Sequence, residues 1–489
     1  MKHRYISILI LFILVALYAH AQTGKPTRTD ALAKAVNELV REDVMRHASL
    51  SVSVYSLDKK QQLYAYNSQR ALIPASLTKL FTTAAGFDRL GSNFRFRTNL
   101  AYSGTVDKNG TLHGDIYIIG GGDPLLGSYR YRQTQPDTLF TAWLKAITAA
   151  GIKAIDGRVC IDASIFDNHP VNDTWQWGDI GNYYGCGVSA LNFHENMFFI
   201  YFSPGSKVGY PATISHTEPK GITTHIFNEV MTGPARSGDQ VVVYGDPAST
   251  IRTCSGTMPI DGRNFNVRAS LPKPAMACAE LFTAFLRQHQ LNVTGSPIDN
   301  GRRPNNLVNI IEYTSPDYSL VAQYTNMTSN NLYAEAIHRY LGFKAYGMGT
   351  RANGSRAVSD FFQKLRLEAS GIILDDGCGL GSRNRVTTDF VCRFLAEVSR
   401  CSFFPQFEKS LALAGENGTA KNILAGLPSN ISVRLKTGSM TGVRAFAGYV
   451  VTPRGERLCF SVICNDYDCS GSQMRTKLEA IIMKIATLE

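Results

Sequence analysis

The stretch Pro74-Ala75-Ser76-Leu77-Thr78-Lys79-Leu80 constrains this chain more than any other. Apolar residues recur at Leu77, Leu80, Phe81, Ala84 and Ala85, the i, i+3, i+4, i+7, i+8 spacing of a helix with one buried face. Pro74 ends the extended segment before it. Ser76 and Lys79 then fall in the first helical turn, three residues apart, where their side chains can touch. A serine hydroxyl becomes a nucleophile when a neighbouring base takes its proton. A lysine is such a base only where burial or a nearby cation keeps it neutral. The helix N-terminus adds N–H groups suited to a developing oxyanion. In isolation the motif is better explained by a helix cap with a solvated lysine. The same spacing recurs at Ser56-Leu57-Asp58-Lys59, between two strand-like runs, where it reads as a hairpin turn.

The remainder of the chain bounds the class of protein. Its 489 residues are too many for one core and suggest two to four domains. Lys and Arg total 50 against 39 Asp and Glu. This excess suits an anionic surface or polymer, and without a basic run interleaved with aromatics no nucleic-acid partner is expected. Lys2, His3 and Arg4 precede the apolar run Ile6 to Tyr18 and the small residues of Ala19-His20-Ala21. Residues 1–21 therefore read as a secretory signal cut before Gln22, delivering the mature chain to the periplasm or cell envelope. No later stretch reaches about 18 apolar residues, so no stable membrane span is expected after cleavage. Ten cysteines in an exported chain permit disulfides, with no pairing readable. With no CxxC and no HExxH, neither a metal site nor another cofactor is expected.

Taken in order, Thr29 to His47 predicts a helix, and Leu50–Ser56 and Gln62–Asn67 predict paired strands. From Phe94 to about Ile310 short strand-like runs and glycines dominate, with helices at Asp137–Ala150 and Ala275–His289. Gly120-Gly121-Gly122 lacks the Lys-Ser/Thr of a phosphate loop and reads as a structural turn. Trp175-Gln176-Trp177-Gly178-Asp179 either packs or walls a pocket beside a carboxylate. Thr325 to Asn331 reads as a polar turn into the helix Leu332–Leu341. Ser432–Leu435, a turn at Lys436-Thr437-Gly438, Val443–Val451 and Arg457–Cys464 predict an antiparallel meander, closed by a helix from Gln473 to Thr487. The expected division is residues 22–93 and 311–489 as one split catalytic domain, with 94–310 as inserted β-rich domains.

Three motifs occur in a fixed order: Ser76-x-x-Lys79, Ser329-x-Asn331 and Lys436-Thr437-Gly438. Together they form the signature of active-site serine penicillin-recognising enzymes. About 250 residues separate Ser76 from Ser329, more than a typical domain of roughly 100–150 residues, so an insertion must split the catalytic domain. With Gly121-Gly122-Asp123-Pro124, Asp376-Gly377-x-Gly379-Leu380, Asn384-Arg385-Val386 and Thr441-Gly442-Val443-Arg444-Ala445, the mature chain resembles a known family. It is the D-alanyl-D-alanine carboxypeptidase/endopeptidase family of the penicillin-binding protein 4 type, peptidase family S13.

The resemblance implies an α/β (α+β) transpeptidase-like domain, an antiparallel sheet flanked by helices, interrupted by two small β-rich domains. It implies a serine DD-peptidase that cuts D-Ala-D-Ala termini or D-Ala-diamino acid cross-links in peptidoglycan stem peptides, with β-lactam antibiotics as covalent inhibitors. Ser76 would attack, Lys79 would take its proton, Ser329 would pass a proton to the leaving amine, and Asn331 would hold a substrate carbonyl or orient Lys79. Lys436 and Thr437 would meet the terminal carboxylate, Gly438 would allow close approach, and the N–H groups of Ser76 and Ser439 would form the oxyanion hole. By the same resemblance Asp179 would bind the ammonium of the stem diamino acid, beside Tyr184, Met440 and Thr441. Cys378 stands where serine is usual and Gly381-Ser382 replaces Ser-Arg, so by the resemblance Arg383 would substitute for the family arginine through a one-residue shift. A serine β-lactamase or esterase on the same fold, and a non-catalytic wall sensor, are the alternatives.

Overall fold

The computed structural model describes residues 28–299 and 303–488, so the expected signal segment lies outside the described residues. Its centre is a six-stranded antiparallel sheet ordered Ala412–Leu413, Ser432–Met440, Val443–Val451, Arg457–Asn465, Ser49–Ser56, Gln61–Tyr66. Alternation along Val443–Val451 explains why both faces are covered. Ala445, Ala447 and Tyr449 join one apolar core, while Phe446 and Val450 join the other. The second core is closed by the helices Asp30–Val40 and Gly471–Ala486. Leu478, Ile481, Ile482 and Ile485 are fully or almost fully buried there, each stabilising the fold by about 1.5–3 kcal/mol.

The first core holds the helix Thr78–Leu90, with Tyr318–Thr328, Asn331–Tyr346, Arg351–Lys364 and Thr388–Val398 packed around it. Every residue from Thr78 to Phe87 is buried, so this helix is enclosed rather than one-sided as its apolar rhythm suggests. Tyr318 approaches so closely that a Cβ at Gly86 would stand 1.8 Å from its hydroxyl oxygen.

Between Thr78–Leu90 and Tyr318–Thr328 the chain leaves the sheet and builds two further lobes. In one, a five-stranded sheet ordered Ile298–Asp299, Val159–Asp162, Ile116–Ile119, Arg97–Tyr102, Val308–Thr314 lies with a four-stranded sheet and the helices Pro136–Ala149 and Pro274–Gln288. Trp143, Phe140 and Phe282 fill its core. In the other, Thr213–Glu218, Met197–Ser203 and Phe265–Ser270 form one sheet and His225–Gly233, Ile251–Pro259 and Val242–Tyr244 a second. The first lobe is thus mixed α/β rather than mainly β. Val308–Thr314 pairs with Arg97–Tyr102, and we place the end of the insertion after Thr314 for that reason. The turn at Gly120-Gly121-Gly122 is structural: a Cβ at Gly121 would meet the Arg97 carbonyl oxygen at 1.8 Å.

Several local expectations are corrected. The first helix ends at Val40, and a short 3-10 turn covers Asp43–Met45. Most of the expected polar turn before Asn331 is helix, since Tyr318–Thr328 continues to Ser329. Lys436-Thr437-Gly438 is not a turn. It lies inside the strand Ser432–Met440, and the chain reverses at Thr441-Gly442. All ten cysteines are free, and eight are buried. Cys392 and Cys459 lie together without a bond, each thiol donating to the other's carbonyl oxygen.

Candidate active site

Ser76 sits on the 3-10 turn Ala75–Leu77, which runs directly into Thr78–Leu90. Ala75 is held at a left-handed φ of 46° while fully buried, a strained conformation that turns the chain into the helix. Two glycines make room for it. A Cβ at Gly379 would stand 1.9 Å from the Ala75 carbonyl oxygen, and one at Gly438 would stand 2.7 Å from that of Pro74.

Lys79 is completely buried, with its Nζ 2.9 Å from Ser76 Oγ, 2.6 Å from Asn331 Oδ1 and 2.6 Å from the Cys378 carbonyl oxygen. A neutral amine can donate to Asn331 and Cys378 and turn its lone pair to the Ser76 proton. Burial lowers the Lys79 pKa, although Cys378, Asp376 and Glu335 oppose the shift. Lys436 is also fully buried, and burial, then the Lys79 charge, pushes it well below the ordinary lysine value. The two lysines are one coupled pair that sheds a proton more readily than a solvated lysine.

Ser329 is placed by the junction of two helices. It ends Tyr318–Thr328 with φ 57°, and Asn330 caps Asn331–Tyr346 by accepting from the Tyr333 N–H. This turn delivers Ser329 Oγ to Lys436 Nζ at 2.8 Å and Asn331 to Lys79. Asn331 Nδ2 also donates to the Tyr184 carbonyl oxygen at 2.7 Å, tying the insertion to the catalytic helices.

The short strand Ala412–Leu413 pairs only with Leu435 and Arg434. From Lys436 to Met440 that edge carries no strand among the described residues, leaving backbone groups able to take an extended peptide. Thr437 Oγ1 donates to Thr419 Oγ1 at 2.8 Å on the same edge. Thr419 escaped the sequence reading because it lies on the 3-10 turn Gly418–Ala420, which has no periodicity to reveal a contact with Thr437.

Behind Lys79, the loop Asp375–Gly381 is shaped by one carboxylate. Asp376 accepts from the N–H groups of Gly379 and Gly381 at 2.6 Å each, from Asn384 Nδ2 at 3.0 Å and from Trp175 Nε1 at 2.9 Å. Glu335 accepts from the Gly377 N–H at 2.8 Å. Glu335, Asp376 and Cys378 gather within ligand distance of one another. The Asp376 oxygens are already occupied by N–H donors, and the group works as the frame that presents the Cys378 carbonyl to Lys79.

A model of the D-Ala-D-Ala carboxypeptidase 3 (S13) family matches residues 32–487. The chain belongs to that family. This S13 chain is 27% identical over 473 residues to a D-alanyl-D-alanine carboxypeptidase of Actinomadura sp. (strain R39), covering 94% of this chain and 85% of the relative. It is 23% identical over 434 residues to the D-alanyl-D-alanine carboxypeptidase DacB of Haemophilus influenzae, covering 87% of each. Its fold matches the crystal structure of penicillin binding protein 4 from that organism with a TM-score of 0.80 at 22% identity, over 93% of this chain and 99% of the other. The S13 enzyme thus has the expected antiparallel sheet flanked by helices and split by an insertion. No helix among the described residues is long and apolar enough to cross a membrane.

The S13 substrate residues expected in the insertion separate into two kinds. Trp175 is buried and anchors the segment through Asp376, whereas Trp177 is exposed and stacks near Tyr244. Asp179 lies on the short helix Trp177–Ile180. Burial lifts its carboxyl above the usual range, and a hydrogen bond from Tyr184 holds it back. Burial and Asp179 push the Tyr184 hydroxyl up to about 12. Met440 ends its strand and Thr441 begins the turn after it. Arg383 is exposed and makes no hydrogen bond or ion pair among the described residues, whereas the neighbouring Arg385 is spent on the carbonyl oxygens of Ser382 and Asn384.

Proposed function

We propose that this S13 peptidase cleaves the bond after a D-alanine in peptidoglycan stem peptides through an acyl-enzyme on Ser76. The observation that carries the reading is the pair of contacts Lys79 Nζ to Ser76 Oγ at 2.9 Å and Lys436 Nζ to Ser329 Oγ at 2.8 Å. They put a base beside the nucleophile and a proton route beside the leaving group.

Ser76 Oγ attacks the carbonyl carbon as its proton passes to neutral Lys79. The developing oxyanion lies between the N–H groups of Ser76 and Ser439. Collapse breaks the C–N bond, and Ser329 hands a proton to the departing amine while Lys436 replenishes it. Asn331 holds the donor carbonyl, and Lys436 with Thr437 meets the carboxylate of the leaving residue. Gly438 lets the peptide lie close against the open strand edge. The proton that Lys79 took from Ser76 passes to the Lys436–Ser329 pair and restores it. Water then attacks the ester as neutral Lys79 takes its proton, and Lys79 returns that proton to Ser76 Oγ as the ester C–O bond breaks. Asp179 and Tyr184 receive the ammonium end of a stem diamino acid, with Met440, Thr441 and Arg383 along the same subsite. Penicillins acylate Ser76 in the same way, a reading supported by the relatives named as penicillin-binding and penicillin-sensitive. The charged and apolar N-terminal segment, taken with relatives named D-alanyl-D-alanine carboxypeptidases, supports export to the periplasm.

Intact-mass analysis after benzylpenicillin, paired with D-alanine release from a diaminopimelate pentapeptide, tests the reading. We expect a stable adduct and D-alanine release, both lost in Ser76→Ala. An adduct without peptide turnover points instead to a wall sensor, and rapid penicillin turnover to a β-lactamase.

A further inference from the structure

A cavity of about 230 Å³ opens beside Ser329 and Asn331, walled by Tyr183 and Tyr184 and bearing two arginines, Arg130 and Arg268. The arginines differ in how their charge is balanced. Arg130 Nε lies 2.5 Å from Glu195 Oε1, its Nη2 lies 2.8 Å from Oε2, and its guanidinium sits 4.0 Å from the centre of the Tyr324 ring. Glu195 is itself fixed by Ser128 Oγ at 2.6 Å and Tyr333 Oη at 3.1 Å. His194, Glu195 and Asn196 hold φ values of 53°, 54° and 49° in succession, a costly backbone that aims Glu195 into this wall. Arg268 has no such partner. It extends from Phe265–Ser270 over the face of Tyr183, 3.6 Å from the ring centre, and among the described residues no carboxylate lies within ion-pair distance of it.

The cavity therefore presents one rigid, neutralised wall and one unbalanced guanidinium, held flat by an aromatic ring. A guanidinium in that state recognises a carboxylate through paired N–H donors. The neighbouring Ser329 decides which carboxylate arrives. In the proposed reaction Ser329 protonates the leaving amine, so the leaving group passes the mouth of this cavity. Free D-alanine has a single carboxylate, already taken by Lys436 and Thr437. A leaving strand from a cross-link carries that carboxylate on its diamino acid and further carboxylates on the stem beyond it. At about 230 Å³ the cavity is smaller than the roughly 300–1,000 Å³ pockets that enclose drug-sized ligands, so it has room for a carboxylate and its nearest atoms rather than a whole stem.

We infer that this cavity is a subsite for the leaving strand of cross-linked peptidoglycan, with Arg268 binding a carboxylate of that strand. The inference rests on the DD-peptidase reading and adds a determinant of endopeptidase over carboxypeptidase action. Its test compares the full-length protein with Arg268→Gln and Arg268→Lys on two substrates, a diaminopimelate pentapeptide and a cross-linked tetrapeptide dimer, with benzylpenicillin acylation as a third readout. Arg268→Gln should lower kcat/KM for the dimer about tenfold, chiefly through KM, while D-alanine release and acylation stay within twofold of wild type. Arg268→Lys should recover part of the loss. Equal effects on both substrates, or no effect on either, overturn the inference. So does a wild-type protein that releases D-alanine but leaves the dimer intact, and that result keeps the DD-peptidase reading standing. Failure to cut either substrate overturns both.

Discussion

Lys79 Nζ lies 2.6 Å from the carbonyl oxygen of Cys378, a residue almost 300 positions away in the chain. This contact, with Asn331 on another side, uses two N–H bonds of the amine and leaves its third position for Ser76. Lys79→Ala should slow acylation by benzylpenicillin about 10²–10⁴-fold, the usual worth of a positioned general base, with the protein still folded by circular dichroism. The pH profile gives a finer check. Only the neutral amine accepts the proton, so the acylation rate should rise with pH. Burial lowers both buried lysines, so the rise should come below the ordinary lysine pKa of about 10.4.

Thr419 supports Thr437 through the 2.8 Å hydroxyl contact. When Thr437 donates to a substrate carboxylate, Thr419 can turn its own proton to the Thr437 oxygen and keep that hydroxyl aimed. Thr419→Val keeps the shape and removes the hydrogen bond, worth about 1 kcal/mol. KM for a D-Ala-D-Ala peptide should rise about fivefold with kcat little changed, and Thr419→Ser should behave as wild type. A fall in kcat alone would place Thr419 elsewhere in the reaction.

What the sequence made legible, and what it hid, follows from the range of each interaction. Ser76 and Lys79 announced themselves because a helix brings residues three apart together and its apolar rhythm continues to Ala85. Ser329 and Asn331 were legible through the helix that follows, and the structure joins them to the two lysines. Lys436-Thr437-Gly438 was misread as a turn because glycine and threonine beside a lysine look like chain reversal. The strand runs through them because Gly438 must admit the Pro74 carbonyl. Thr419 and the ring of donors around Asp376 were hidden, since each depends on loops meeting across the fold. The cysteines misled for a related reason: spacing shows neither which strand buries a thiol nor which way it points.

Asp179 is half-buried in front of Tyr184 and meets no cation among the described residues. A stem diamino acid would supply that cation, and a hydrogen-bonded charge pair of this kind contributes about 1.5–3 kcal/mol. Asp179→Asn should lower kcat/KM for a diaminopimelate peptide about 10- to 100-fold while sparing a peptide whose side-chain amine is acetylated. Because burial raises the Asp179 carboxyl, acidification should neutralise it at a higher pH than an ordinary aspartate near 3.9. The preference for the charged over the acetylated peptide should therefore fade early as pH drops. Equal loss on both peptides would mean that the carboxylate shapes the segment rather than binding the ammonium.

Ten cysteines behind a signal-like N-terminal sequence invite the expectation of disulfides, yet all ten are free, and only Cys401 and Cys469 are partly exposed. The buried thiols are enclosed in packed cores. Cys459 lies in the central sheet against Cys392 of the helix Thr388–Val398, and Cys254 and Cys278 sit in separate cores of the insertion. Burial raises the Cys278 and Cys254 thiols, and it lifts Cys459 well above its ordinary value, with Cys392 adding to the effect. The thiolate, the reactive form, is thereby suppressed. Alkylation of the native protein should therefore modify at most two positions, Cys401 and Cys469, and alkylation after denaturation without reductant should modify all ten. A mass about 2 Da low for each pair of missing alkylation sites in the denatured sample would reveal a disulfide and refute the free-thiol arrangement. If the pattern holds, the stability of this S13 enzyme rests on its cores and on the Asp376 loop rather than on covalent cross-links, and a reducing agent should leave its unfolding midpoint unchanged.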